Sequence, residues 1–215
     1  MTLIPEGYRP RLIDASLERL LAAAPAVLLE GPKWCGKTWT GLRAANSVAW
    51  IADPAQNYLT RRLAETNPST VIQGDTPRLI DEWQDAPGLW DAVRHEADHT
   101  PGAGRFILTG SATPQDGAVS HTGTGRIARL SMWPMSLIES GDAPGGISLR
   151  QLFDSQPPPT LTGTIDRDTI AELVCRGGWP ATIGQPVTIT QTLTRSYVDS
   201  IAYIEVPQVV QSRRD

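Results

Sequence analysis

One uninterrupted stretch constrains this chain more than any other: Val27-Leu28-Leu29-Glu30-Gly31-Pro32-Lys33-Trp34-Cys35-Gly36-Lys37-Thr38. An apolar run with strand character leads into Gly-x-x-x-x-Gly-Lys-Thr, and a helix-compatible segment follows. That order has a physical reading. Consecutive backbone N–H groups curl into a concave nest for an anion, and the helix behind them points its positive end at the same spot. Gly31 and Gly36 permit backbone angles and a close phosphate approach that a Cβ would obstruct. Lys37 can then reach β- and γ-phosphates, and the Thr38 hydroxyl can ligate Mg²⁺. The eight residues Gly31, Pro32, Lys33, Trp34, Cys35, Gly36, Lys37 and Thr38 are therefore the expected seat of a nucleoside triphosphate. A chance glycine-rich turn has no reason to carry a strand and a helix on the correct sides.

The surrounding pattern alternates strands with helices. Residues 12–24 read as a helix with apolar positions at 12, 13, 17, 20 and 21, and strands are expected over 26–30 and 47–52. The helix after the loop covers 37–45. Asp53 offers an N-cap with Pro54 at the first helical position, for a helix reaching about residue 66. Strands follow over 78–82, 105–109 and 126–132, with a helix over 88–98 between the first two. Such alternation predicts an α/β fold, a parallel sheet flanked by helices. Residues 141–165 are rich in Pro, Gly and Ser, including Pro157-Pro158-Pro159, and read as a linker or exposed excursion. Beyond them, 166–176 and 188–206 look helical. The expected plan is a core over 1–140, the excursion over 141–165, and a small helical region over 166–215.

Composition narrows the partners. Nineteen Lys and Arg against 23 Asp and Glu give a net charge of −4, with no sustained basic stripe to argue nucleic-acid binding from. No apolar run approaches the roughly 20 residues of a membrane span. The opening Met1-Thr2-Leu3-Ile4-Pro5-Glu6-Gly7 lacks the basic and apolar regions of a secretory signal. Cys35 and Cys175 are the two cysteines, and a disulfide at Cys35 would interfere with the loop. Two free thiols fit a reducing, cytoplasmic setting.

Leu79-Ile80-Asp81-Glu82 supplies the second half of the expected site. It has the features of a Walker B element: an apolar strand, a carboxylate at its C-terminal end, and a second carboxylate beside it. Open parallel sheets bind ligands beyond the carboxyl ends of their strands, so Asp81 should emerge on the same edge as Lys37. Asp81 would hold Mg²⁺, directly or through water, and Glu82 would polarise the attacking water as a general base. The strand 106–108 ends in Thr109-Gly110-Ser111, which would bring the hydroxyl of Thr109 or Ser111 between the two motif strands, near the γ-phosphate. Arg126 follows the Gly-rich His121-Thr122-Gly123-Thr124-Gly125. It is read either as a charge that stabilises phosphoryl transfer, in its own subunit or a neighbour's, or as a surface ion-pairing residue.

With these elements in this order the chain resembles AAA+-type ATPases, and more narrowly the prokaryotic ones whose AAA domain is followed by a C-terminal domain called DUF4143. The resemblance rests on Gly31 to Thr38, on Leu79-Ile80-Asp81-Glu82-Trp83-Gln84, on Leu108-Thr109-Gly110-Ser111-Ala112, on Gly125-Arg126 leading to Trp133-Pro134-Met135-Ser136-Leu137-Ile138-Glu139, and on Arg176-Gly177-Gly178-Trp179-Pro180. It implies binding of ATP with Mg²⁺, a sensor role for Thr109 or Ser111, an arginine finger at Arg126, and a lid arginine for which Arg176 is the nearest candidate. A finger acting in trans implies a homo-oligomer. Family members continue well past the position of Tyr197–Asp215, so this chain is expected to lack most of the C-terminal domain. The resulting expectation is a Mg²⁺-dependent ATPase whose coupled task and protein partner are open. The alternative is a nucleotide-operated switch with negligible turnover.

His95-Glu96-Ala97-Asp98-His99 matches the zinc-protease pattern His-Glu-x-x-His literally. Its helix, however, has its apolar stripe at Leu89, Trp90, Val93 and Ala97, which turns both histidines to the polar side at ~100° per residue. They are read as solvated residues near a helix C-terminus, with no zinc role.

Overall fold

The computed structural model describes residues 3–110, 122–143, 148–154 and 165–206. The chain divides into two compact units, Met1–Trp133 and Pro134–Asp215. The first unit holds helices α1 (Asp14–Ala23), α2 (Lys37–Ala44), α3 (Ala55–Thr66), α4 (Pro68–Val71) and α5 (Gly88–His99). Its strands are β1 (Ala26–Glu30), β2 (Ser47–Trp50), β3 (Arg78–Asp81), β4 (Phe106–Gly110) and β5 (Ile127–Ser131).

The five strands form one parallel sheet in the order β2-β3-β4-β1-β5. The α/β expectation is thus met, and the strand carrying Asp81 is separated from the strand feeding the glycine loop by β4. The register brings the strands' C-terminal ends onto one edge. Asp81 pairs with Thr109, Leu29 pairs with Thr109 from the other side, and Glu30 pairs with both Gly110 and Ser131.

Alternation along each strand builds two cores. Val27, Leu79 and Ile107 face α1 through Leu17 and Leu21, whereas Leu28, Ile80 and Leu108 join Trp83, Leu89, Trp90 and Val93 on the opposite face. Strands buried on both faces read as continuous apolar runs, which is why Ala26–Leu29 and Leu79–Ile80 carry no polar alternation. Trp83 and Trp90 stack at a tilt, with ring centroids 4.9 Å apart.

Local departures from expectation are informative. The first helix begins at Asp14, and Leu12, expected on its apolar face, is 64% exposed. A turn closed by Asp14 N–H on the Arg11 carbonyl (3.0 Å) precedes it and buries Arg11 instead. Asp53 accepts from the Ala55 N–H at 2.8 Å, and the helix starts after Pro54. Gln56, Asn57 and Tyr58 are left-handed before the chain settles into the right-handed turns of α3.

The second unit is helical: α6 (Leu137–Ser140), α7 (Leu149–Asp154), α8 (Arg167–Arg176) and α9 (Val187–Ser200). Helix α7 lies inside the stretch read as an excursion. Ser136 and Glu139 form a capping box on α6, and the Asp166 carboxylate caps α8 through the Thr169 N–H at 2.7 Å. Trp179 packs on Tyr197 with ring centroids 4.5 Å apart. Met135 N–H donates to Gly178 O at 2.6 Å, and a Cβ at Gly178 would lie 2.2 Å from the Met135 oxygen. That close approach explains the glycine in Gly177-Gly178-Trp179-Pro180.

Candidate functional site

The turn from β1 into α2 is built by two glycines with different jobs. A Cβ at Gly31 would meet the Met132 carbonyl oxygen at 2.1 Å, so only glycine lets the loop lie against the end of β5. Gly36 caps α2 at φ 103°, a left-handed angle that costs a Cβ-bearing residue dearly. Trp34 also holds a positive φ of 65°, and strain of this kind persists only where surrounding structure imposes it.

The Lys37 side chain is buried at the loop and folds back over it. Its Nζ donates to the carbonyls of Gly31 and Pro32, each at 2.9 Å. Across the sheet edge, Asp81 Oδ1 accepts from the Thr38 hydroxyl at 2.8 Å and from the Thr109 hydroxyl at 2.6 Å. Asp81 and Thr109 are both nearly inaccessible. Lys37, Thr38, Asp81 and Thr109, four residues from three elements, thus converge at the C-terminal edge, two of them sharing one carboxylate oxygen. A cleft of about 350 Å³ opens beside Asp81, lined also by Trp50, Ala52 and Asp53.

Glu82 leaves β3 in a left-handed conformation, φ 55° and ψ 48°, and its Oε2 accepts from the Gln84 amide. Gln84 Oε1 and Trp83 Nε1 are buried and unpaired among the described residues, both close against Gly110. Sequence reasoning did not assign Gln84 a part. The signal it offered was only an amide two positions after the carboxylate.

Arg126 is elsewhere. Its carbonyl accepts from the Ala26 N–H at the start of β1, so it sits at the N-terminal edge of the sheet. Five residues of strand at ~3.3 Å each separate that edge from Gly31, about 16 Å. Its Nε donates to Asp98 Oδ1 at 2.5 Å, and Arg94 holds the other oxygen of Asp98 at 2.9 Å. Of the two readings left open by the sequence, the ion pair is the one present within the chain. Arg176 donates to Asp142 Oδ2 at 2.6 Å within the second unit. Ser111 and His121 lie outside the described residues.

His95 and His99 are exposed on α5, stacked with centroids 4.0 Å apart. Among the described residues no group of three or more His, Cys, Asp or Glu is placed to hold a metal ion. Nor is any helix among them long and apolar enough to cross a membrane. Cys35 is buried and Cys175 exposed, and both are free thiols.

A family model described as AAA domain matches residues 23–140, more than half of the chain. Two curated relatives, uncharacterized protein Mb2031c of Mycobacterium bovis and uncharacterized protein Rv2008c of Mycobacterium tuberculosis, are each 29% identical over 160 residues. That alignment takes in 73% of this chain and 35% of each relative, so the chain spans about a third of their length.

Proposed function

Since this chain belongs to the AAA-domain family of nucleotide-binding P-loop proteins, we propose that it binds ATP with Mg²⁺ at the Gly31–Thr38 loop and hydrolyses it there. The observation that carries this reading is the convergence of Lys37, Thr38, Asp81 and Thr109 on one sheet edge, with Asp81 Oδ1 shared by two hydroxyls. The loop's N–H groups and the N-terminus of α2 would receive the β-phosphate, and Lys37 would exchange its two carbonyl partners for phosphate oxygens.

Thr38 and Asp81 supply hard oxygen donors side by side, which suits Mg²⁺, an ion that takes one or two protein ligands and fills its shell with phosphate and water. An ion held by Thr38 and Asp81 would supply charge neutralisation at the phosphate oxygens. Thr109 holds the Asp81 carboxylate in orientation, and in this reading its hydroxyl would sense the γ-phosphate. Glu82 takes a proton from the attacking water as its oxygen bonds to γ-phosphorus and the bond to the β-bridging oxygen breaks, leaving ADP and phosphate.

A second reading has its own support. The Glu82 carboxylate is engaged by Gln84, and Arg126 is engaged by Asp98 at the far edge. A chain in which both stay so engaged binds ATP and changes state without turning over. In the enzyme reading Arg126 would leave Asp98 and reach a phosphate across a contact between two copies. Steady-state hydrolysis across a range of protein concentrations, for the native chain and Glu82→Gln, separates the readings. Turnover that Glu82→Gln abolishes while ATP binding persists supports the enzyme. Binding without turnover in both supports the switch.

A further inference from the structure

Outside the matched domain, residues 8–14 are built onto the phosphate loop. Arg11 is 8% exposed, and its Nη1 donates to the Cys35 carbonyl at 2.7 Å while Nη2 donates to the Trp133 carbonyl at 2.8 Å. One rigid guanidinium fork thereby joins the loop to Trp133, the second residue after β5. The fork is itself held. Asp14 Oδ2 accepts from the Arg11 backbone N–H at 2.9 Å, and its Oδ1 accepts from the Tyr8 hydroxyl at 2.7 Å. Tyr8 Oη also lies 3.3 Å from Thr40 Oγ1 on α2, and Arg43 of the same helix is 3.5 Å from Asp14.

The consequence follows from peptide geometry. In a trans peptide the C=O and the next residue's N–H point in opposite directions. Pinning the Cys35 carbonyl outward on Arg11 therefore turns the Gly36 N–H inward, toward the concavity where the anion would sit. Glycine at 36 would otherwise let that peptide rotate at little cost. The flexibility the loop needs for close approach is the freedom that Arg11 removes.

We propose that Arg11 is a positioning residue for nucleotide: it sets the orientation of the 35–36 peptide and so pre-forms the phosphate nest, with Asp14 and Tyr8 holding it in place. The proposal rests on the nucleotide reading above. Removing the fork takes a donor from the Cys35 and Trp133 carbonyls and costs stability whichever role Arg11 has. A positioning role adds a loss of nucleotide affinity in the chain that remains folded, and a guanidinium supplied from solution should repair that loss.

The test is titration of the native chain, Arg11→Ala, Arg11→Lys and Lys37→Ala with Mg·ATP, followed by the emission of Trp34, which is half exposed in the loop. Arg11→Ala should weaken ATP binding about 10- to 100-fold, the scale on which small misplacements of binding groups act. Adding guanidinium ion at millimolar concentration should restore most of the loss, and should do nothing for Lys37→Ala. Arg11→Lys, which keeps the charge but not the fork, should fall between native and Arg11→Ala. It also stands as the deciding variant should Arg11→Ala not fold. Native-like ATP affinity in a folded Arg11→Ala or Arg11→Lys overturns the proposal. So does a loss that guanidinium cannot repair although the variant is folded. If Lys37→Ala keeps native affinity, the nucleotide reading itself has failed, and the two failures are told apart.

Discussion

Asp81, at the C-terminal edge of the sheet, and Asp98, on α5 and paired with Arg126 at the N-terminal edge, each have two donors, yet they are different objects. Asp81 is buried and takes both bonds on one oxygen from neutral hydroxyls, Thr38 and Thr109. Asp98 is exposed and is paired with two arginines, Arg94 and Arg126. An exposed carboxylate between cations is satisfied and has nothing left to do; screening makes such pairs worth little. Among the described residues Asp81 is held by hydroxyls rather than by a cation, and hydroxyls can rotate to new partners. On the nucleotide reading proposed above, the C-terminal edge is the one that would receive a cation, whereas the N-terminal edge already holds its own.

The largest test of that contrast is binding. Lys37→Ala should weaken Mg·ATP affinity by about 100-fold or more, because in the proposed reading its buried ammonium would bond phosphate on the scale of charge-assisted bonds in a sheltered site. Arg126→Ala, at the other edge, should leave affinity unchanged in calorimetric titration of dilute protein. Loss of binding in Arg126→Ala alone would mean that the two edges communicate, and that Asp98 is no mere surface partner. Next in size is Thr109→Val. It keeps shape but removes one of the two donors to Asp81, at a cost of about 1–3 kcal/mol in denaturant unfolding. Added Mg·ATP should recover part of it, since the ligand stabilises only the folded chain.

How far the sequence carried this picture depends on the range of the interactions. The strands and the order of motifs were legible because each is written in contiguous residues: Ala26–Glu30 matches its expected bounds, and β3 and β5 are each one or two residues shorter. The strand ending in Thr109 was expected between the two motif strands, and β4 lies between β3 and β1. Arg11 was not legible. Its partners are 24 and 122 residues away, and a helical period placed Leu12 on the buried side where the structure buries Arg11. Glu82 and Gln84 were half legible: the carboxylate was read from its neighbours, whereas its left-handed backbone and its amide partner depend on packing against Gly110.

A smaller effect comes from acid. The Arg105 guanidinium holds the Glu96 carboxyl below its ordinary 4.5, and Arg126 holds Asp98 below its ordinary 3.8. Carboxyls depressed in the folded chain stabilise it above the ordinary value, and that stabilisation is lost as pH falls through the folded one. Denaturation midpoints should therefore be flat in this respect above pH 4.5 and fall below it. Arg105→Gln should start lower at neutral pH but lose less between about pH 5 and 3. An equal acid slope in both proteins would show that these exposed pairs are silent.

The smallest effect reads the buried edge without any nucleotide. Burial pushes the Cys35 thiol up, against the opposing pull of Lys37 and Arg11, and the residue is inaccessible, while Cys175 is exposed on α8. Because the thiolate is the reactive form, alkylation of the native chain near neutral pH should modify one thiol, Cys175, and leave Cys35 until unfolding. Peptide mapping after a timed iodoacetamide pulse measures it. Arg11→Lys should increase the rate at Cys35 while Cys175 keeps its own. The guanidinium holds the Cys35 carbonyl while the sulfur of the same residue lies buried 3.8 Å from the Met132 carbonyl, so loosening that peptide should expose the thiol. Reaction at Cys35 as fast as at Cys175 in the native chain would mean that the loop is already open, and that the order at this edge has to come from the ligand.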